Sequence, residues 1–179
     1  MYYCITLLPI LIYAIIAFQD FKDRAVSWVF FPAIIIANIC CSIWRFGASP
    51  ASLLCMAGIN LALVGIQFLI LQCYFSIRYK TTDLIIDRFI GLGDLLLYLA
   101  LIFTFSPLNL FVFHVVSLAI CLLLAAVFAV FRNKFTLQSV PLAGIQSVLL
   151  LLLTIQAMLR PSFDFFDEHW VLNCIDYVR

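Results

Sequence analysis

The chain has 179 residues, 66% of them hydrophobic and only 11% charged, with a formal net charge of +1 and a mean hydropathy of +1.20. Soluble domains are about 45–50% apolar and about 25% charged, so this chain has too little polar surface to coat a water-exposed globule. The composition implies a polytopic integral membrane protein, and no basic tract points to nucleic acid.

A helix needs about 20 mostly apolar residues to cross the hydrocarbon core of a bilayer. Helices are the expected spans, because lipid offers the backbone no hydrogen-bond partners and the apolar runs do not alternate as barrel strands would. Six such stretches follow one another. The first runs from Tyr2 to Phe18; it lacks a basic n-region and a small-residue cleavage site, and is expected to be a retained span rather than a signal peptide. The second covers Val26 to Trp44 and the third Ala51 to Ile77. The fourth, Gly91 to Phe105, is short and is expected to begin in a water-accessible cavity. Leu108 to Phe131 and Val140 to Leu159 complete the set. The expectation is therefore an all-α bundle of six transmembrane helices over residues 1–160, followed by an extramembrane tail over 161–179.

Loops one, three and five carry Lys22, Arg24, Arg78, Lys80, Arg88, Arg132 and Lys134, against Arg45, Arg160 and Arg179 on the other side. Basic residues favour the cytoplasm, so the odd loops are expected inside and both termini outside. The acidic tail residues Asp164, Asp167, Glu168 and Asp176 fit the outer side. Trp28, Trp44 and Trp170 suit membrane interfaces. The cysteines Cys4, Cys40, Cys41, Cys55, Cys73, Cys121 and Cys174 are odd in number and scattered, and most act as small hydrophobes. No metal-ligand cluster stands out, and His114 and His169 are far apart in the chain.

Two aspartates stand out. Asp20 closes the first span and Asp94 opens the fourth. The chain crosses twice between them, so both belong to one membrane face, which the charge bias makes cytoplasmic. Carboxylates near lipid depth usually face a bundle interior or a water-filled cavity. Two that meet there cannot both ionise easily and hold one proton between them. Such a pair suits aspartyl hydrolysis: one carboxylate takes a proton from water while the other donates to the scissile carbonyl. Gly91 and Gly93 allow positive φ angles and close approach of a neighbouring chain. Plainer readings stand beside this one. Asp94 is equally a helix N-cap or first-turn residue, and "QDFKDR" reads as a juxtamembrane turn in which Asp20 and Asp23 pair with Lys22 and Arg24. Asn38, Asn60, Gln67, His114 and Gln146 are expected to hydrogen-bond between helices, with His114 remote from the aspartates. Gly58 and Gly144 read as close-packing positions. Asp83 and Asp87 read as a solvated charged face.

The stretch "GLGD", Gly91 to Asp94, resembles the Gly-x-Gly-Asp signature of membrane-embedded aspartyl proteases, and within them the type IV prepilin peptidases. In that family a first aspartate ends the first peptidase span, followed by a basic stretch and Ile/Leu-Pro-Asn/Asp. Here "DFKDRAVSW" begins at Asp20, with Val26, Ser27 and Trp28 at the aliphatic, proline and Asn/Asp positions, an alignment that selects Asp20 over Asp23. "SVPLAG", with Pro141 opening the sixth span, resembles the family's Pro-containing motif. Ser27-Trp28 replaces the usual Pro-Asn/Asp, and Leu95-Leu96 stands where a lysine often follows. Paired Cys-x-x-Cys motifs are absent, as in the short, peptidase-only forms. In presenilin-like proteases, which share Gly-x-Gly-Asp, a tyrosine precedes the first aspartate; here it is Gln19. The resemblance implies catalytic Asp20 and Asp94 supported by Gly91 and Gly93, no metal or cofactor, and a prepilin-like substrate cleaved at the cytoplasmic face of a bacterial inner membrane. The competing class is a non-enzymatic membrane subunit in which the two aspartates lie apart and only cap helices.

Overall fold

The computed structural model describes residues 2–80, 91–131, 142–160 and 164–168. All its regular elements are helices: α1 (Tyr2–Asp23), α2 (Phe30–Phe46), α3 (Pro50–Tyr79), α4 (Leu92–Leu101), α5 (Pro107–Phe131) and α6 (Leu142–Leu159). They follow the six apolar stretches in order. Three of them are long and apolar enough to cross a membrane, over Pro50–Arg78, Pro107–Val127 and Leu142–Leu159. The apolar helices Phe30–Trp44 and Leu92–Leu101 are shorter. Thr81 to Arg88, with Asp83 and Asp87, lies outside the described residues, as do Arg132, Lys134, Pro141 and the tail beyond Glu168.

Local chemistry sets the helix ends. Ser49 caps α3, its hydroxyl accepting the Ser52 amide at 3.1 Å, with Pro50 in the first helical position, where its missing N–H costs nothing. Gly47 closes α2 in the left-handed region (φ 66°), and the Ala48 amide reaches back to the Ser42 carbonyl. Beyond the expected end of the first span, α1 continues through Gln19–Asp23 and stops at Arg24, whose left-handed backbone directs its amide to the Asp20 carbonyl.

α6 packs along α1, and α1 also on α2; α4 lies against α2 and α6, and α5 against α3 and α6. Helices α1 and α4 share no extended contact and meet through α6 and α2. At ten residues, α4 is only about 15 Å long, roughly half the hydrocarbon thickness. The buried turn that follows it is held by side-chain amides from neighbouring helices. Asn60 Nδ2 donates to Ile102 and Phe105 carbonyls at 2.9 and 2.8 Å. Asn38 Nδ2 donates to Thr104 Oγ1 at 2.8 Å and to the Tyr13 hydroxyl at 3.0 Å. The segment 164–168 folds over the same turn: Asn109 Nδ2 donates to the carbonyls of Phe165 and Asp167, and the Ser106 amide to that of Phe165.

Candidate active site

Opposite this amide-rich end, α1, α4 and α6 bring both singled-out aspartates to one place. Asp20 lies near the C-terminus of α1 and is only 9% exposed. Its carboxylate accepts the backbone amide of Gly144, in the first turn of α6. Asp94 occupies the third position of α4 and is half-buried. Its carboxylate takes backbone hydrogen bonds from Ala143 and Gly91, and it interacts electrostatically with Asp20. The first amides of a helix have no partner within it and carry the positive end of its dipole. Two consecutive amides of α6 thus hold one carboxylate each, which draws the acids of α1 and α4 together without direct packing of those helices.

Glycine makes this approach possible. A Cβ on Gly144 would lie 3.0 Å from Asp20 Oδ2 and 3.3 Å from the Phe21 ring. Gly144 is therefore a close-packing glycine whose neighbour is a carboxylate. Gly58 meets nothing within 4 Å and is not. Gly91 and Gly93 differ from expectation too. Gly91 is extended (φ −65°, ψ 143°) and Gly93 is helical, so neither uses a positive φ. Gly91 instead caps α4, and the Asp94 side chain folds back to its amide as in the second half of a capping box. A Cβ there would sit 3.4 Å from Asp94 Oδ2, whereas Gly93 faces open space. The capping reading of Asp94 is thus realised in the structure, together with its placement beside Asp20. Asp20 does not behave as a turn residue. It feels the charge of Arg24 but bonds inward to α6, while Asp23 is exposed.

The pair is recessed. Asp94 interacts electrostatically with Cys121 of α5, which precedes the end of that helix by ten residues, or about 15 Å. Beneath Asp94 lies a layer of polar side chains that sequence reasoning did not connect to it. Tyr98, one turn along α4, stacks on His114 with ring centroids 4.2 Å apart. Gln146 of α6 donates to the Tyr98 hydroxyl at 3.0 Å and to Ser117 Oγ at 3.2 Å. His114 is therefore one side chain removed from the pair, not remote. The expectation of distance placed His114 toward the outer end of the fifth span, whereas with α4 only ten residues long the first turns of α5 lie level with Tyr98. Trp28 and Ser27 lie in the turn after α1, with Trp28 exposed and the Ser27 amide donating to Gln19 Oε1 at 3.0 Å.

Chemically, the site offers two neighbouring carboxyl groups and backbone amide donors. Among the described residues, no three His, Cys, Asp or Glu side chains gather as a metal-binding set. The chain matches no family model, no curated protein and no solved structure.

Proposed function

We propose that this protein is a membrane-embedded aspartic endopeptidase of the prepilin peptidase kind, a six-span bundle in a bacterial inner membrane with its acid pair toward the cytoplasm. The observation that carries the reading is the seating of Asp20 and Asp94 on the consecutive amides of Ala143 and Gly144. Two carboxyls held this way share a proton readily. The ionised member takes a proton from water as the water oxygen bonds to the scissile carbonyl carbon. The protonated member donates to the carbonyl oxygen. When the tetrahedral gem-diol collapses, the C–N bond breaks, the departing nitrogen takes the proton that the first carboxyl drew from water, and a gem-diol hydroxyl returns its proton to the second carboxyl as the C=O re-forms, restoring the pair. The two roles belong to the pair as a unit.

The substrate is a prepilin-like protein with a short basic leader and an apolar helix. That helix would lie among the spans, and the leader would leave the junction beside Asp20 and Asp94. The open space at Gly93, where an added Cβ would meet nothing within 4 Å, leaves room for an extended junction beside Asp94. Asp20→Asn and Asp94→Asn should each reduce cleavage of a co-expressed prepilin by about 10²–10⁴-fold while membrane insertion is retained. Cleavage by either variant at the native rate rejects the pair as catalyst.

The capping bonds of Asp94 favour a second reading, a non-enzymatic membrane subunit in which both carboxylates only lock helix ends. On that reading the same variants lower stability, and the native protein cleaves no leader.

A further inference from the structure

Gln146 is fully buried, and its amide nitrogen lies within hydrogen-bond distance of both the Tyr98 hydroxyl and Ser117 Oγ. The hydroxyl hydrogen of Ser117 is already directed to the His114 carbonyl at 3.0 Å. Ser117 then meets Gln146 with a lone pair, and Gln146 turns its NH2 group to both hydroxyls while its buried Oε1 has no partner among the described residues. The same NH2 then donates to the Tyr98 oxygen, which leaves the phenolic hydrogen of Tyr98 to find its own acceptor. Tyr98 is four residues after Asp94, on the same face of α4, and helical side chains lean toward the N-terminus. Its phenol is close enough to feel the Asp94 charge. The edge-to-face contact with Phe68 of α3, at 6.0 Å, and the stack on His114 hold the ring in this slot.

We infer that Tyr98 is a positioning residue for Asp94: its phenol, oriented by Gln146 and Ser117, donates toward the Asp94 carboxylate through one water and biases the shared proton toward Asp20. The catalytic meaning of this inference rests on the peptidase reading, but the contact itself does not. The titratable groups that face Asp94 among the described residues are Asp20 from α1, Tyr98 from its own helix and Cys121 from α5. His114 lies behind the Tyr98 ring. Tyr98 alone among them combines a hydroxyl donor with a fixed orientation.

The test uses the full-length protein in liposomes, with Tyr98→Phe as the variant because it keeps both ring contacts. Infrared difference spectra follow the protonated-carboxyl band of Asp94, assigned by its loss in Asp94→Asn, across a pH titration. The expected result is a shift of that band and of its midpoint to higher pH in Tyr98→Phe, since a donor to the ionised form has been removed. An unchanged band and midpoint overturn the inference, whether or not the protein is a peptidase. In parallel, cleavage of a synthetic prepilin-like peptide should show kcat reduced about tenfold or more at unchanged KM, with the ascending pH limb displaced upward. If the wild type cleaves no leader peptide, the peptidase reading fails and the spectra alone decide the contact. A fall in kcat without any change in spectrum or pH limb marks Tyr98 as merely structural and overturns the inference.

Discussion

The bundle contains two buried polar regions that solve opposite problems. At the end of α4, the chain stops midway and leaves carbonyls facing apolar helices. The Asn60 amide takes the Ile102 and Phe105 carbonyls, Asn38 bridges the Tyr13 and Thr104 hydroxyls, and Asn109 holds the carbonyls of Phe165 and Asp167 over the same turn. At the start of α6 the surplus is in donors, and two acids fill it. A neutral amide would accept from those donors without bringing charge into the bundle. Carboxylates are the costlier choice near lipid depth, and two side by side are costlier still. The acid end therefore carries a penalty that stability does not require, whereas the amide end does what stability alone would ask.

Gly144→Val breaks the acid end most sharply among changes outside the pair itself. The new side chain would push against Asp20 Oδ2 and the Phe21 ring and pry the carboxylate from its amide. A displacement of about 1 Å in a catalytic group costs roughly 10²-fold in rate. On the proposed peptidase function, cleavage should fall by about that factor, with insertion retained and the unfolding midpoint only modestly lowered. A variant that unfolds readily yet cleaves at the native rate per folded molecule would mean that the α6 amides do not position Asp20. Gly144→Ala should show the same effect in weaker form.

At the amide end the signs reverse. Asn60→Leu strands the Ile102 and Phe105 carbonyls, and Asn38→Leu removes the bridge from α2 to Tyr13 and Thr104. Each should destabilise the protein by about 1–2 kcal/mol, read from unfolding in mixed detergent micelles. Cleavage per folded molecule should stay within about twofold. If Asn60→Leu instead lowers kcat as strongly as Gly144→Val does, the two regions are coupled through α4 and the division of labour drawn here is wrong.

Much of this contrast is legible in the residues and some is not. The helices show because each is a nearly uninterrupted apolar run, and Ser49-Pro50 and Gly47 mark their own helix ends. Asp20 and Asp94 are conspicuous because charge is rare in such runs. The groups that join them are backbone amides, which every residue carries and no residue type announces. Only the small side chain of Gly144 hints that something approaches closely, and nothing in the sequence says that it is Asp20. The premature stop of α4 is equally hidden. "LALIFTF" is apolar enough to continue a helix up to Ser106-Pro107, and the turn that begins earlier, at Ile102, is met by amides from distant α2 and α3 that no local pattern shows.

The smallest effect is expected beside the acid pair, at Ser27, where the resembling family carries proline. Ser27 follows the end of α1 in irregular backbone. Its amide donates to Gln19 Oε1 at 3.0 Å, at an exposed position. Ser27→Pro removes that donor, and an exposed hydrogen bond is worth about 0.5–1.5 kcal/mol. Proline also restricts the unfolded chain, which stabilises by about 0.4–1 kcal/mol where its φ fits. The two effects oppose one another, so the unfolding midpoint should scarcely move, and cleavage should remain within about twofold. A large gain in cleavage would instead mean that the shape of this turn delivers substrate to Asp20, and that serine here tunes the site for a different leader. A large loss of stability would mean that the Gln19 bond is what holds the turn against α1, making this exposed contact part of the acid end rather than a neighbour to it.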